Sequence, residues 1–298
     1  MNEYVIVMDK QYIGYPLYKS KGCIMIEPYA YLSNSKIFRK LRSIIYKYNK
    51  EWTIGLNKKL IGISKTYILY DSISPVVANY IRKNNPDARI IVYYINPEKY
   101  SYKFKEYEKS DAEIWTFDES DSMKLNNRWN PLIYFGTKTA VENEKKEYDV
   151  VFVGADKGRY SQLIDIKKEL NNRGISTKFY IMPSSDFPLF NKRKYSKRIS
   201  YEENINLILE SKVLLDIMQV NQTGYTMRIP ESMVNHIKLI TNNMKISEYD
   251  FYTPNNIFII GKDSYDSLFD FVNTPWDHSK DEYIKDLEFE YWIRKFKL

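Results

Sequence analysis

Short apolar runs alternate along the chain with longer stretches in which apolar residues recur every three or four positions. Residues 4–9 (YVIVMD) form the kind of run a buried strand requires, and residues 35–52 carry apolar side chains at 37, 41, 44, 45 and 48, which is helical spacing. Further strands are predicted over 65–71, 88–95 and 112–118, separated by a helix over 74–85 that opens on Ser-Pro. A short helix over 119–126 follows. Residues 135–149 are polar and charged without an apolar period, as in a linker. The alternation then restarts with a strand over 148–154, a helix over 160–174 closed by Gly174, a strand over 176–182 and a helix over 200–212. Ser200 and Glu203 stand in the capping-box arrangement at the start of that last helix. Strands over 213–218, 238–243 and 256–260 flank a helix over 230–237, and residues 264–298 read as mostly helical. This β, α, β order predicts parallel sheets covered by helices. The fold class expected is α/β, two Rossmann-like doubly wound domains facing a cleft, with one domain over 1–140, a second over 148–275 and a helical tail over 276–298.

Composition narrows the partners more than the fold. A chain of 298 residues can bury two cores, and 44% hydrophobic with 28% charged residues is the balance of a folded globular protein rather than a disordered one. No apolar run approaches the ~18 residues that span a bilayer, and the start MNEYVIVMDKQYIGY lacks the basic opening and long apolar centre of a signal peptide. A cytoplasmic location is the expectation. Cys23 is the single cysteine and His236 and His278 are the two histidines, so neither an internal disulfide, a thiolate zinc cluster nor a histidine-rich metal site is expected. The net charge of +7 invites an anionic partner: nucleic acid, an anionic membrane face or a phosphorylated small molecule. Charge alone does not choose among them. The 28 tyrosines, with the many Lys, Asn and Ile, read most simply as the coding bias of an AT-rich genome.

Ligands of open parallel sheets bind at the carboxyl ends of the strands. Polar residues stand at four such ends: Asp71 with Ser72, Asn96, the stretch GADKGR over 154–159, and the segment after Asp216. VVFVGADKGRYSQLIDIKKEL places two glycines and two cations between a strand and a helix, a turn able to turn backbone N–H groups toward an anion. It matches neither the dinucleotide nor the P-loop pattern, so neither NAD nor ATP follows. A glycine turn at a tight strand-to-helix junction is the plainer reading. Residues 222–243, QTGYTMRIPESMVNHIKLITNN, bring Gly224 and the threonines 223 and 226 to a helix start, with Arg228 as a phosphate-fitting fork and Glu231 one turn on, where a carboxylate suits paired ribose hydroxyls. The alternative is a capped helix with a surface ion pair.

These blocks resemble the GT-B glycosyltransferases. TGYTMRIPESMVNHIKLITNN is similar to their donor-site signature, and YDVVFVGADKGRYSQLIDIKKEL resembles the first strand, glycine loop and helix of the same domain. ARIIVYYINP and SDAEIWTFDESDSMKLN resemble the amino-terminal half of bacterial capsule and lipopolysaccharide enzymes of this shape. The resemblance implies an acceptor-side first domain and a second domain that binds a nucleotide-sugar. Glu231 matches the ribose-binding glutamate, and Gly224, Thr226 and Arg228 match the diphosphate loop. Together with the strand-end and loop residues read above, the expected donor-binding set is Gly154, Lys157, Arg159, Asp216, Thr223, Gly224, Tyr225, Thr226, Arg228 and Glu231. Many retaining members carry a second glutamate eight positions earlier; here that residue is Thr223, so a retaining mechanism built on the pair does not carry over.

The activity implied is metal-independent transfer of a sugar, without a cofactor, to a glycan or lipid-linked acceptor in surface polysaccharide biosynthesis. The leaving diphosphate is stabilised by N–H groups and cations. An inverting enzyme needs a base from the first domain. Asp71 is the first candidate and Asp9 the second, though a strand-end Asp also serves as a helix cap. The helix over 37–52 carries Lys36, Arg39, Lys40, Arg42, Lys47 and Lys50 around an apolar stripe, and Trp52 at its end, a composition that suits peripheral contact with an anionic leaflet at the inner face of the membrane. YWIRKFKL at the carboxyl end has a similar mix. A core-packed helix with a solvated basic face is the competing reading. Two other classes stay open, a basic nucleic-acid-binding protein and a nonenzymatic nucleotide-binding protein. The cations are spread along the chain rather than gathered on a binding module, so no nucleic-acid partner is expected.

Overall fold

The computed structural model describes residues 2–10, 12, 14–30, 35–47, 54–101, 103–134, 146–184, 194–218, 224 and 226–298. The chain divides into two compact units, Met1–Pro131 together with Ile293–Leu298, and Leu132–Trp292. The first contains β1 (Asn2–Val7), α1 (Tyr15–Ser20), β2 (Met25–Ile26), α2 (Lys36–Lys47), β3 (Ser64–Tyr70), α3 (Pro75–Asn84), β4 (Arg89–Tyr94), α4 (Phe104–Tyr107), β5 (Glu113–Thr116), α5 (Glu119–Leu125) and β6 (Arg128–Trp129). The second contains β7 (Tyr148–Ala155), α6 (Tyr160–Asn172), β8 (Thr177–Met182), α7 (Tyr201–Leu209), β9 (Ser211–Asp216), α8 (Arg228–Val234), β10 (Lys238–Thr241), β11 (Ile257–Ile259), α9 (Leu268–Asn273) and α10 (Asp281–Ile284). A last helix, α11 (Phe289–Lys295), contains the boundary at 292/293.

Local chemistry sets several of these boundaries. The Ser74 hydroxyl accepts from the Val76 N–H and Pro75 occupies the first turn of α3, where its missing N–H costs nothing. Ser200 and Glu203 form the reciprocal capping box of α7. Gly174, at φ +75°, lets the chain leave α6 through a left-handed residue. Both sheets are wholly parallel among the described residues. Their strands are covered on both sides, so they read as continuous apolar runs: Val5, Ile6, Ile68, Leu69, Ile91 and Val92 are buried in the first unit and Val150, Phe152, Val213, Leu215 and Ile240 in the second.

Strand order is β2-β1-β3-β4-β5-β6 in the first unit and β11-β10-β9-β7-β8 in the second. Counted from each unit's own first strand, both begin with the order 2-1-3-4-5. The direction of winding reverses between β1 and β3 in one and between β7 and β9 in the other, and in such sheets a crevice opens beyond the carboxyl ends of the two strands at the reversal.

Some boundaries differ from the sequence expectation. β1 ends at Val7, leaving Asp9 two residues past the strand, and β9 begins at Ser211 and ends on Asp216. α8 starts at Arg228 and stops at Val234, because His236 takes a left-handed φ of +52°. α1, β2, α4 and β6 were not anticipated; each is between two and six residues long, too short to display a period. The 264–298 stretch breaks into α9, α10 and α11 with intervening 3-10 turns. Of the linker expected over 135–149, residues 135–145 lie outside the described residues, as do 48–53 at the end of the basic helix.

Candidate functional site

At the reversal in the second unit, β7 delivers the chain into a turn over 156–159. The Arg159 N–H donates to the Asp156 carbonyl at 2.7 Å, and both central residues are left-handed, Lys157 at φ +41° and Gly158 at φ +84°. Glycine adopts that conformation freely; a lysine there is held by its surroundings. Its N–H donates to the Ser184 hydroxyl at 2.6 Å. Ser184 in turn donates to Asp156, whose other oxygen accepts from the Tyr195 hydroxyl at 2.6 Å. Asp156 thus pins the turn from below.

Across the reversal, β9 ends on Asp216, fully buried. Its Oδ1 accepts from Thr226 Oγ1 at 2.9 Å and pairs with Arg228 Nη1 at 3.4 Å, and its Oδ2 accepts from Thr241 Oγ1 at 3.3 Å. The other arm of Arg228 donates to the Val153 carbonyl at 2.6 Å, and its guanidinium lies 4.9 Å from the centre of the Phe152 ring. A Cβ on residue 154 would overlap Arg228 Nη2, so Gly154 leaves the room that this arm of Arg228 fills. Arg228 therefore joins β9 to β7. Arg159 does the same from the other side: it donates to the carbonyls of Asp156, Ala155 and Ile217.

Three cations thus share one end of one sheet. Burial holds the Arg159 guanidinium down to about 10, with the nearby Arg228 charge adding to the effect. Lys157 is lowered first by partial desolvation of its ammonium, although the residue as a whole is exposed, and then by Arg159 and Arg228. Neighbouring like charges that depress Arg159 and Lys157 mark a position where an anion relieves the repulsion. Lys157 is exposed, whereas Arg159 and Asp216 are buried. Glu231, in the first turn of α8, is 4% exposed, and burial raises its carboxyl to about 7 against the opposing pull of Arg228 and the Tyr201 hydroxyl.

The sequence-derived donor set separates accordingly. Gly154, Lys157, Arg159, Asp216, Thr226 and Arg228 converge at the β7/β9 reversal. Glu231 is electrostatically coupled to them through Arg228 and Asp216, but as a buried carboxyl rather than an open ribose acceptor. Gly224 is buried close by in sequence, and Thr223 and Tyr225 lie outside the described residues. Asp156, Ser184, Tyr195 and Tyr201 were missed. Asp156 lay within the quoted glycine turn, whereas nothing local marks the other three.

In the first unit, Asp9 follows β1 and Asp71 follows β3, so the two candidate bases flank that unit's own reversal. Asp71 is 6% exposed, and its Oδ2 accepts from Asn96 Nδ2 at 2.9 Å. Burial raises its pKa while the Asn96 side chain and the N–H groups of Ile95 and Ser72 hold it back. Asp9 is also raised by burial, opposed chiefly by Arg42, and its Oδ1 is buried without a hydrogen-bond partner among the described residues. An unsatisfied buried acceptor is costly, and a substrate hydroxyl would satisfy it. Around the two carboxylates stands a tyrosine cluster in which the Tyr70 ring meets Tyr12, Tyr18 and Tyr93 at 5.4, 5.5 and 5.7 Å. These tyrosines have packing roles that codon bias does not explain.

On α2, Ile37 is 73% exposed, and Leu41 and Ile44 are also exposed, while Arg42 is buried with its guanidinium 3.9 Å above the Tyr29 ring. No described helix is long and apolar enough to cross a membrane.

The family described as polysaccharide pyruvyl transferase matches residues 71–202, somewhat less than half of the chain. No curated protein matches it. Among solved structures, a glycosyltransferase from Rickettsia africae ESF-5 aligns over 100% of this chain and 97% of that one, at 11% identity and a TM-score of 0.52. The DNA-modifying enzyme beta-glucosyltransferase, solved in the presence and absence of uridine diphosphoglucose, aligns over 99% and 97% at 12% identity and a TM-score of 0.50. At such identities the likeness concerns the fold. The chain has the α/β GT-B architecture of the glycosyltransferases, with two Rossmann-like domains.

Proposed function

We propose that this protein is a transferase of surface polysaccharide assembly, of the capsule or lipopolysaccharide type, that moves a sugar from a nucleotide-sugar to a glycan or lipid-linked acceptor. The observation that carries the reading is the cluster of Lys157, Arg159 and Arg228 at the β7/β9 reversal, where cations repel one another at the position in which parallel sheets take their ligands. A diphosphate placed there meets exposed Lys157 and the part-exposed Arg228, while Arg159 and Asp216 keep the two strand ends in place. As the sugar–phosphate bond breaks, negative charge grows on the leaving diphosphate, and these fixed cations stabilise it without a metal. The first unit carries the candidate bases. Asp9, whose Oδ1 has no hydrogen-bond partner among the described residues and whose pKa burial raises, is the group there best suited to take the proton of an acceptor hydroxyl. Asp71, already engaged by Asn96, orients its strand end.

The exposed apolar stripe of α2, Ile37, Leu41 and Ile44 beside Lys36 and Lys40, supports docking on an anionic lipid surface, where a lipid-linked acceptor resides.

A second reading is favoured by the family match: transfer of a pyruvyl group to a polysaccharide. That donor is also anionic and would use the same cations. Incubating the purified protein with acceptor glycan and, in parallel, UDP-, GDP-, CMP- and dTDP-sugars or phosphoenolpyruvate distinguishes the two. Product from a nucleotide-sugar alone supports sugar transfer, product from phosphoenolpyruvate alone replaces it with pyruvyl transfer, and failure of every nucleotide-sugar to bind contradicts the first reading.

A further inference from the structure

The chain's two histidines are 42 positions apart, yet their rings lie 5.2 Å apart in the second unit, on either side of one carboxylate. Asp281 Oδ2 is 2.7 Å from His278 Nδ1 and 3.5 Å from His236 Nε2. Asp281 Oδ1 is held separately by the Trp276 indole N–H at 3.1 Å, which turns Oδ2 toward the imidazoles. The same indole stacks on the His236 ring, with centroids 5.2 Å apart and planes at 28°. Asp277 fixes the turn that presents His278 and Asp281 by accepting the Ser279 N–H at 2.9 Å. The left-handed φ of +52° at His236 ends α8 and aims that ring out of the helix.

The geometry points to a binding site for a divalent transition cation of the zinc type, formed by His236 Nε2, His278 Nδ1 and Asp281 Oδ2. The three candidate ligand atoms lie within 4.8 Å of one another. Tetrahedral zinc with bonds of about 2.0–2.1 Å needs ligand atoms roughly 3.3 Å apart, so small side-chain rotations suffice. Two imidazoles and one carboxylate suit Zn2+, Co2+ or Ni2+ and disfavour Mg2+ and Ca2+, which prefer oxygen. Water completes the fourth position. Trp276 orients the carboxylate from outside, as hydrogen-bond partners of metal ligands commonly do. Binding replaces the hydrogen bond between His278 Nδ1 and Asp281 Oδ2 and clamps the turn after α8 to the start of α10 and the turn before it. Because α8 also carries Arg228 and Glu231, the cation would brace the helix beside the candidate donor site from its far end, without entering the chemistry.

The test uses the full-length protein freed of metal with a chelator, then titrated with ZnCl2 or MgCl2 and followed by thermal unfolding and calorimetry. Saturating Zn2+ is expected to raise Tm by about 3 °C, with no comparable rise in Mg2+. His278→Ala and Asp281→Asn should lower zinc affinity at least tenfold while unfolding at the wild-type temperature in chelator. His236→Asn, whose side chain tolerates the left-handed backbone, serves as a third variant. A wild-type protein that does not respond to Zn2+, an equal response to Mg2+, or variants that bind zinc as well as the wild type overturns the assignment.

Discussion

In the first unit the strand order reverses between β1 and β3, and the residues that follow those strands, Asp9 and Asp71, are carboxylates set among tyrosines. In the second unit it reverses between β7 and β9, and the cations Lys157, Arg159 and Arg228 gathered there outnumber the carboxylates Asp156 and Asp216. Topology is the same and the sign of the charge is opposite. A doubly wound sheet fixes where a ligand goes; the side chains at the reversal decide what it is. Carboxylates whose pKa burial raises are suited to taking a proton, and neighbouring cations are suited to holding an anion.

Exchanging the character of either reversal should remove its function and leave the other's intact. The largest effect is expected for Asp9→Asn, which should lower kcat by about 10²–10⁴-fold with donor affinity unchanged. Asp71→Asn, which keeps the shape beside Asn96, should fall well short of that loss; steady-state kinetics of the two variants side by side ranks them. If Asp71→Asn proves the more damaging, the base has been misassigned.

In the second unit, Arg228→Ala strips Asp216 of its cation and β7 of the tie at Val153, and should cost about 3 kcal/mol in denaturant unfolding. Gly154→Ala should cost roughly 1–3 kcal/mol, because its Cβ meets Arg228. A stability unchanged by either would mean that the strand ends are held by something else.

Glu231 gives a pH signature of comparable size. Its carboxyl ionises near 4.5 when unfolded and near 7 when folded. Between those values the folded chain keeps the extra proton, so the contribution to stability is complete below about pH 4.5 and is lost as pH rises through 7. Glu231→Gln should remove that decline, a difference on the order of 3 kcal/mol between pH 4.5 and pH 8 in paired unfolding curves. Parallel curves for the two proteins would count against a buried neutral Glu231.

The smallest effect on the fold and a clear one on localisation is expected for Ile37→Asp with Leu41→Asp. Both residues are exposed, so Tm should change little, whereas flotation with anionic vesicles should fall severalfold. Flotation equal to the wild type would indicate that α2 is not the contact.

Much of this architecture was legible in the chain. The runs of β3, β4, β7 and β9 are buried on both faces and so stand out as apolar blocks, and the Ser200/Glu203 box and Gly174 are local signals with local causes. The glycine turn after β7 was also visible. Its partner was not: the space beside Gly154 is filled by Arg228, 74 positions later, and no spacing reveals that approach. Preference between Asp9 and Asp71 was likewise unreadable, since it turns on which oxygen finds a hydrogen-bond partner after folding. The two histidines looked too few for a metal site, and only the left-handed exit from α8 and the 277–281 turn bring them together. Two-residue strands such as β2 and β6 exist because a neighbouring strand is already in place.

The most direct test of the central claim is calorimetric titration of nucleoside diphosphates and their sugars into the wild-type protein and Lys157→Ala. Lys157 is exposed and its side chain makes no tie between strands among the described residues, while its backbone bond to Ser184 survives the substitution, so the variant should fold as the wild type does. Saturable binding of at least one nucleotide to the wild type is expected, with a loss of about 10–100-fold in the variant and an unchanged Tm. Binding of equal strength to both proteins, or none to the wild type, would contradict an anion-gripping site at the β7/β9 reversal.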